Sequence, residues 1–184
     1  MNNQEKSLLL NLAREAIASV LENKKIIFDN NKISKNLKQK LATFVTLTIN
    51  NDLRGCIGHL EPIQELYQDV IENAQAAAFS DPRFSPLTLE ELKLTKIEIS
   101  ILSPSQKLIY SSAKELVQYL EKNKPGVILT KGRYSATFLP QVWEELPDAI
   151  HFLDHLCLKA GLKPEAWQEA VNIETYTVEK FKEK

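Results

Sequence analysis

The segment ATFVTLTINNDLRGCIG, residues 42–58, sets the class of fold because it predicts a β-hairpin. Over 42–49, β-branched and aromatic residues are interleaved with threonines, which is typical of a strand. The Asn-Asn-Asp step at 50–52 tolerates the left-handed backbone that a tight reversal needs. A second strand over 53–57 would then pair with the first in antiparallel fashion.

Helices are predicted on both sides of this hairpin. Apolar residues at helical spacing, or pairs with the spacing of a capping box, mark them. Pro62 suits the first turn of one helix, where a missing N–H does no harm. The predicted helices cover 7–21, 62–79, a short segment from 88, 112–120, a segment after 140, and 148–160.

Further strands are predicted at 96–102, at 127–129 paired with 134–138, and at 173–181, which closes the chain. Each shows alternating or β-branched residues. The polar segment 22–40 has no clear period and predicts a loop. The predicted helices and hairpins do not form repeated βαβ units, so we expect an α+β fold with an antiparallel sheet and flanking helices.

Composition is that of an ordinary globular protein. The 184 residues carry 23 Lys and Arg against 24 Asp and Glu, which disfavours a general nucleic-acid binder. The sequence has only two cysteines, and it shows neither a signal-peptide pattern nor an apolar run of membrane-spanning length. These features predict a cytoplasmic protein without membrane association. We expect a single domain over 1–184. A smaller lobe could be inserted in it around 81–130.

The run LRGCIGHL, residues 53–60, is the first candidate site. Gly55 and Gly58 permit close approach to the backbone, and Arg54 can hold a carboxylate or phosphate. Cys56 would be a nucleophile or redox group if Arg54 or His59 lowered its pKa. The alternative is a bulged strand in which a buried Cys56 packs as a small apolar residue.

A second candidate is the turn DPRF, residues 81–84, where Asp81, Arg83 and Phe84 are presented together. Such a turn can place polar groups at the edge of a cleft. Alternatively, Asp81 and Arg83 form a structural ion pair that caps the preceding helix.

Other chemical signatures are weaker. His151 and His155 are four residues apart on a predicted helix, but HFLDH lacks the Glu that a zinc hydrolase helix carries. A surface or capping pair is therefore favoured, and no metal site is predicted. Arg133 and Thr137 flank a strand near Trp143, which we expect in the core. The sequence contains no Ser-His-Asp order, phosphate loop or Cys-x-x-Cys pair.

Several long runs, taken together, resemble a known family. They are ATFVTLTINNDLRGCIGHLEP, AAAFSDPRFSPLTLEEL, IEISILSP, YSATFLPQVWEELPDAIHFLDHL, CLKAGL and YTVEKF. The chain resembles the AMMECR domain family, in particular its bacterial AmmeMemoRadiSam system A branch. The resemblance implies an α+β fold in two unequal lobes with a cleft between them, and the LRGCIG run near that cleft. It also implies association with a Memo-type protein and a radical S-adenosylmethionine (SAM) enzyme.

Individual residues of this chain also match the motifs of the family. The matching positions are Leu53, Arg54, Gly55, Cys56, Ile57 and Gly58, then Asp81, Arg83 and Phe84, then Thr137, Leu139, Pro140 and Trp143. His59 departs from the small polar residue expected there, which weakens any special role for it. The segment KPGVIL, 124–129, is shorter than the family's glycine-rich stretch, which puts the lobe edge around Gly126 in doubt.

Three function classes follow. The first is a non-catalytic component that binds a small anionic molecule, with Arg54 as anchor, and acts with the Memo-type and radical SAM partners. The second is an enzyme that uses Cys56, and the third is a regulatory protein that touches nucleic acid, which the near-zero charge disfavours. The predicted ligand-binding residues are Arg54, Gly55, Gly58, Asp81, Arg83, Arg133 and Thr137. No cofactor is predicted from these residues.

Overall fold

The computed structural model describes residues 1–26, 28–29 and 32–184. Residues 27, 30 and 31 of the predicted loop at 22–40 therefore lie outside the described residues. The chain packs as two units, one formed by 1–103 with 179–184 and the other by 104–178. The smaller lobe around 81–130 and the cleft between lobes stay predictions.

The first unit contains a four-stranded sheet with strands in the order β2-β1-β3-β8. Its elements are α1 (Asn3–Leu21), β1 (Thr43–Ile49), β2 (Asp52–Gly58), α2 (Leu66–Phe79), α3 (Leu89–Leu94), β3 (Thr95–Leu102) and β8 (Val178–Lys182). β1 pairs antiparallel with both β2 and β3, so the predicted hairpin is confirmed. Val45, Leu47, Ile97 and Ile99 are fully buried in one core with residues of α1 and α2.

The two long helices of this unit start at different places from those predicted. α1 begins four residues earlier than expected, at Asn3, because Asn2 and Glu5 form a capping box. α2 begins at Leu66 and not at 62. The N–H of Leu66 donates to the carbonyl of Gln39 at 2.9 Å, and Glu65 forms a β-bridge with Lys40. Tertiary pairing therefore holds the segment before Leu66 in an extended form.

The second unit contains another four-stranded sheet, in the order β4-β7-β5-β6. Its elements are β4 (Gln106–Lys107), α4 (Ala113–Asn123), β5 (Gly126–Lys131), β6 (Tyr134–Phe138), α5 (Val142–Glu145), α6 (Ala149–Lys159), a 3-10 helix (Ala166–Gln168) and β7 (Asn172–Tyr176). Trp143 is buried and stacks on Phe152 with ring centroids 3.8 Å apart. This confirms the prediction that Trp143 belongs to the core.

The predicted closing strand over 173–181 is wrong as a single element. β7 pairs with β4 and β5 in the second sheet, whereas β8 joins β3 in the first. Alternation of apolar residues shows that a segment is extended but does not show which strand it pairs with. The prediction of an α+β fold with antiparallel sheets is confirmed.

Candidate functional site

β2 is an edge strand, and its two glycines are needed for packing within the chain. A Cβ atom on Gly55 would lie 2.1 Å from the carbonyl oxygen of Ala77 in α2. A Cβ atom on Gly58 would lie 2.3 Å from the carbonyl oxygen of Thr43. Both glycines therefore serve close backbone contact, and the partner at each contact is another part of this chain.

The outward backbone groups of Cys56 are held by the turn that follows α2. The N–H of Cys56 donates to Oδ2 of Asp81 at 2.8 Å, and Nη2 of Arg83 donates to the carbonyl of Cys56 at 3.4 Å. An edge strand presents unpaired N–H and C=O groups, which are a template for unwanted pairing. Asp81 and Arg83 thus take the place that a neighbouring strand would occupy.

Asp81 and Arg83 also pair with each other. Nε and Nη2 of Arg83 donate to the two carboxylate oxygens of Asp81 at 2.9 and 2.7 Å. The Arg83 hydrogen bond holds the pKa of the buried Asp81 carboxyl well below its usual range, although burial acts in the opposite direction. The ion pair expected from the sequence is present, but it covers a strand edge and does not cap α2, which ends at Phe79.

Arg54 is engaged inside the chain. Its Nε and Nη2 donate to the carboxylate of Glu91 at 2.9 and 3.2 Å, and Nη2 also donates to the carbonyl of Ser85 at 2.8 Å. The Arg54 side chain is only 12% exposed, and its buried Nη1 has no hydrogen-bond partner among the described residues. Arg54 therefore connects β2 to α3 and to the loop before it.

The pairing with Arg54 gives Glu91 a measurable pH signature. Hydrogen bonds from Arg54 and from Thr88 lower the pKa of Glu91 from 4.5 to about 2. A carboxyl whose pKa is lowered by folding stabilises the fold above its unfolded pKa, and this contribution is lost as the pH falls towards the folded value. Glu91 should therefore stabilise the protein at pH 7 and lose that effect between about pH 4.5 and pH 2.

We expect Glu91→Gln to cost on the order of 1 kcal/mol at pH 7, a modest value because Glu91 is 35% exposed. The cost should shrink at pH 3, as measured by urea unfolding at both pH values. Glu90→Gln is the matched control, since Glu90 is largely exposed and pairs with Lys93 within the same helix. A cost for Glu91→Gln that does not change with pH would contradict the assignment.

The Cys56 thiol is half-buried and lies 3.3 Å from the hydroxyl of Thr46. Among the described residues, no imidazole or carboxylate forms a hydrogen bond with its sulfur. His59, the nearby residue proposed to activate it, hydrogen-bonds Asp69 of α2. The geometry therefore places Cys56 beside a hydroxyl group and without a general base in contact.

Thr46 also lines a cavity of about 310 Å³ in the first unit. Its wall is formed by Thr46, Thr48, Asn51, Lys96, Ile97, Glu98, Lys182, Glu183 and Lys184. Thr46 and Thr48 alternate along β1 with the buried Val45 and Leu47, so their side chains lie on the sheet face away from that core. The cavity therefore lies on the face of the sheet opposite the core that β1 shares with α1 and α2.

Three lysines and two glutamates contribute charged side chains to the wall of this cavity. Within the described part of the chain, Lys96, Lys182 and Lys184 form no ion pair. Glu183, by contrast, accepts two hydrogen bonds from Arg14 at 2.8 and 2.6 Å, so its charge is compensated. Glu98 is the carboxylate left in the wall.

The remaining predicted residues lie in the second unit. Arg133 is exposed, with its guanidinium 5.3 Å from the centre of the Tyr134 ring. The buried hydroxyl of Thr137 donates to the carbonyl of Val127 at 2.9 Å and contacts the Tyr176 hydroxyl at 3.0 Å. Thr137 therefore supports the second sheet from inside.

Two other properties concern metal ions and membranes. His151 is exposed and lies 3.4 Å from Asp148, which caps α6. Within 1–26, 28–29 and 32–184, no group of three or more His, Cys, Asp or Glu side chains is placed to hold a metal ion.

The helices of the described residues include none with the length and apolar character needed to cross a membrane.

Comparison with known proteins identifies the family. Protein MK0488 of Methanopyrus kandleri is 43% identical over 168 residues, which cover 89% of this chain and 81% of that protein. A protein of Caldivirga maquilingensis is 38% identical over 191 residues, covering 100% of this chain and 87% of that protein. The crystal structure of uncharacterized protein PH0010 from Pyrococcus horikoshii is similar with a TM-score of 0.81 and 36% identity, covering 96% of this chain and 90% of that one. The AMMECR1 family model matches residues 10–181, and the chain therefore belongs to the AMMECR1 family.

Proposed function

We propose that this protein binds a small anionic molecule on its first unit and acts in the cytoplasm with a Memo-type protein and a radical SAM enzyme. The observation that carries the binding proposal is the cavity beside β1, where Lys96 and Lys182 form no ion pair among the described residues and Glu183 is paired with Arg14. The proposed partners rest on the resemblance of the sequence runs to the AmmeMemoRadiSam system.

The composition of the cavity wall suits a small ligand with a carboxylate or phosphate group. Lysine ammonium groups supply charge, while the hydroxyls of Thr46 and Thr48 and the amide of Asn51 can supply hydrogen bonds that set orientation. A volume of about 310 Å³ is at the lower end of the usual range for small-molecule sites. We therefore place the anion contact on Lys96 and Lys182, because Arg54 already pairs with Glu91.

An enzyme that uses Cys56 is a weaker candidate. Activation of a thiol needs a base or a lowered pKa, and the described contact of the Cys56 sulfur is with the Thr46 hydroxyl. Cys56 and the cavity nevertheless share Thr46 as a common neighbour. A bound ligand would thus lie near the thiol without requiring it to react.

The binding proposal predicts specific losses of affinity. We expect isothermal titration calorimetry to detect binding of inorganic phosphate or succinate to the purified protein. Lys96→Gln and Lys182→Gln should each weaken that binding by about tenfold, since a hydrogen bond from a charged group contributes roughly 1.5 to 3 kcal/mol. Cys56→Ser should bind with unchanged affinity.

Lys93→Gln is the matched control, because Lys93 is exposed on α3 and pairs with Glu90, which is not part of the cavity wall. Equal losses for Lys93→Gln and Lys96→Gln would show that only net charge matters and would contradict a site at the cavity. Absence of binding by the unaltered protein at millimolar phosphate and succinate would have the same consequence.

The proposed partners need a separate test. We expect the purified chain to bind the Memo-type protein or the radical SAM enzyme of the same organism in size-exclusion chromatography of the mixed proteins. If each of the three elutes alone in all combinations, with and without S-adenosylmethionine, the partner part of the proposal fails and the ligand part is unaffected.

A further inference from the structure

A second polar cluster lies where β2 ends, and it belongs to neither the Cys56 edge nor the cavity. His59 follows Gly58, and its Nδ1 lies 2.6 Å from Oδ1 of Asp69 on α2. Asp69 is fully buried, whereas the His59 side chain is 29% exposed. The cluster therefore has a buried carboxylate at one end and a solvent-accessible ring at the other.

The hydrogen bonds of Asp69 determine which ring nitrogen of His59 carries a proton. Oδ2 accepts from the N–H and the hydroxyl of Thr43 at 2.9 and 2.6 Å and from Nδ2 of Asn73 at 2.9 Å. Oδ1 accepts from Nε2 of Gln64 at 3.2 Å as well as facing His59. Because an ionised Asp69 only accepts hydrogen bonds, the 2.6 Å contact assigns the donor role to Nδ1 of His59.

Nε2 of neutral His59 then carries the free lone pair. Nδ2 of Asn73 also approaches Nδ1, but at 3.4 Å this contact cannot compete with the 2.6 Å bond to Asp69. Over the described residues, Nε2 has no hydrogen-bond partner. The ring is thus held in one orientation with its basic nitrogen available to solvent.

We propose that His59 and Asp69 form a proton-accepting dyad for a small molecule that presents a hydroxyl group. The proton moves from the ligand hydroxyl to Nε2, and the bonding electron pair stays on the ligand oxygen. The imidazolium keeps its Nδ1–H on Asp69, whose charge stabilises it, so Asp69 is a positioning residue. The inference does not rest on the lysine cavity, since it uses none of the cavity residues.

One further observation supports a role beyond packing. The side-chain oxygen of Asn73 is buried and has no partner among the described residues. An unpaired buried acceptor is costly, so a group that approaches the His59 ring could satisfy this oxygen. Asn73 is the same residue whose nitrogen binds Asp69 and approaches the ring of His59.

Acylation by diethyl pyrocarbonate tests the availability of Nε2. The chain has three histidines, so His151 and His155 serve as controls within one molecule. At pH 8, above the ordinary titration range of histidine, we expect His59 to react about tenfold faster than either control, as followed by peptide mass spectrometry. The His151 side chain is 75% exposed, so exposure alone predicts the reverse order. Reaction in the order of exposure would overturn the proposal.

The tautomer gives a second test that needs no variant. Nitrogen-15 NMR of the unaltered protein should show His59 with its proton on Nδ1 and a bare Nε2 at pH 8. A proton on Nε2 would overturn the dyad. Asp69→Asn should remove the reactivity advantage of His59 and leave the acylation rates of the exposed His151 and His155 unchanged. Circular dichroism and urea unfolding of the variant should show that the first unit, which contains Asp69, remains folded.

Discussion

Gly55→Ala is expected to destabilise the protein by about 3 kcal/mol, near the upper end of the usual cost of overpacking. The new methyl group would lie 2.1 Å from the carbonyl oxygen of Ala77. That oxygen belongs to the backbone of α2, so it cannot move aside as a side chain would. Relief requires separating β2 from the helix, which opens the core between them. Urea unfolding followed by circular dichroism measures the loss.

Gly132→Ala is the matched control for this substitution. Gly132 has φ of +60°, and a Cβ atom there would meet nothing within 4 Å. Its cost should be only the backbone strain of a left-handed alanine, about 1 kcal/mol. Equal losses at the two positions would mean that the contact between Gly55 and Ala77 does not limit the packing of β2 on α2.

Asp81→Ala is expected to produce the second large effect, again about 3 kcal/mol. The change leaves the N–H of Cys56 without its acceptor and Arg83 without its counter-ion. An unpaired N–H costs roughly 1 to 3 kcal/mol, and the half-exposed Arg83, at 53%, adds less than a buried charge would. Thermal and urea unfolding measure the loss, and size-exclusion chromatography should detect self-association through the uncovered β2 edge.

Asp81→Asn separates these two causes. An asparagine keeps an oxygen that can accept from Cys56 but removes the negative charge opposite Arg83. We expect a loss about half that of Asp81→Ala and no self-association. If Asp81→Asn and Asp81→Ala lose equal stability, the hydrogen bond to Cys56 contributes nothing and the ion pair accounts for the whole effect.

Much of the fold could be predicted because local pattern and tertiary packing agree. The hairpin at 42–58 combines strand residues with an Asx turn, and Asn50 and Asn51 both adopt positive φ in the structure. The start of α2 was missed because Pro62 permits a helix that pairing between Lys40 and Glu65 prevents. The break in the predicted closing strand was missed because alternation continues across 177 while the strand partner changes.

The candidate site was harder to predict than the fold. Arg54, Asp81 and Arg83 were identified by residue type, yet their partners depend on contacts that sequence does not reveal. Arg54 meets Glu91, which lies 37 positions away. The cavity lysines were missed for the same reason, since Lys96 and Lys182 meet only through the pairing of β3 with β8. The alternation of Lys96 and Glu98 with buried isoleucines was the available signal.

The position of β8 has a consequence for the order of events during synthesis. The ribosome makes β1, β2 and β3 first, then all of the second unit, and only then the residues of β8. Until that moment β3 is a border strand with open hydrogen-bonding groups, and Arg14 lacks the carboxylate of Glu183. All residues of β1, β2 and β3 are therefore synthesised before the strand that covers β3, so a sheet formed earlier would expose one border to chaperones or to neighbouring nascent chains.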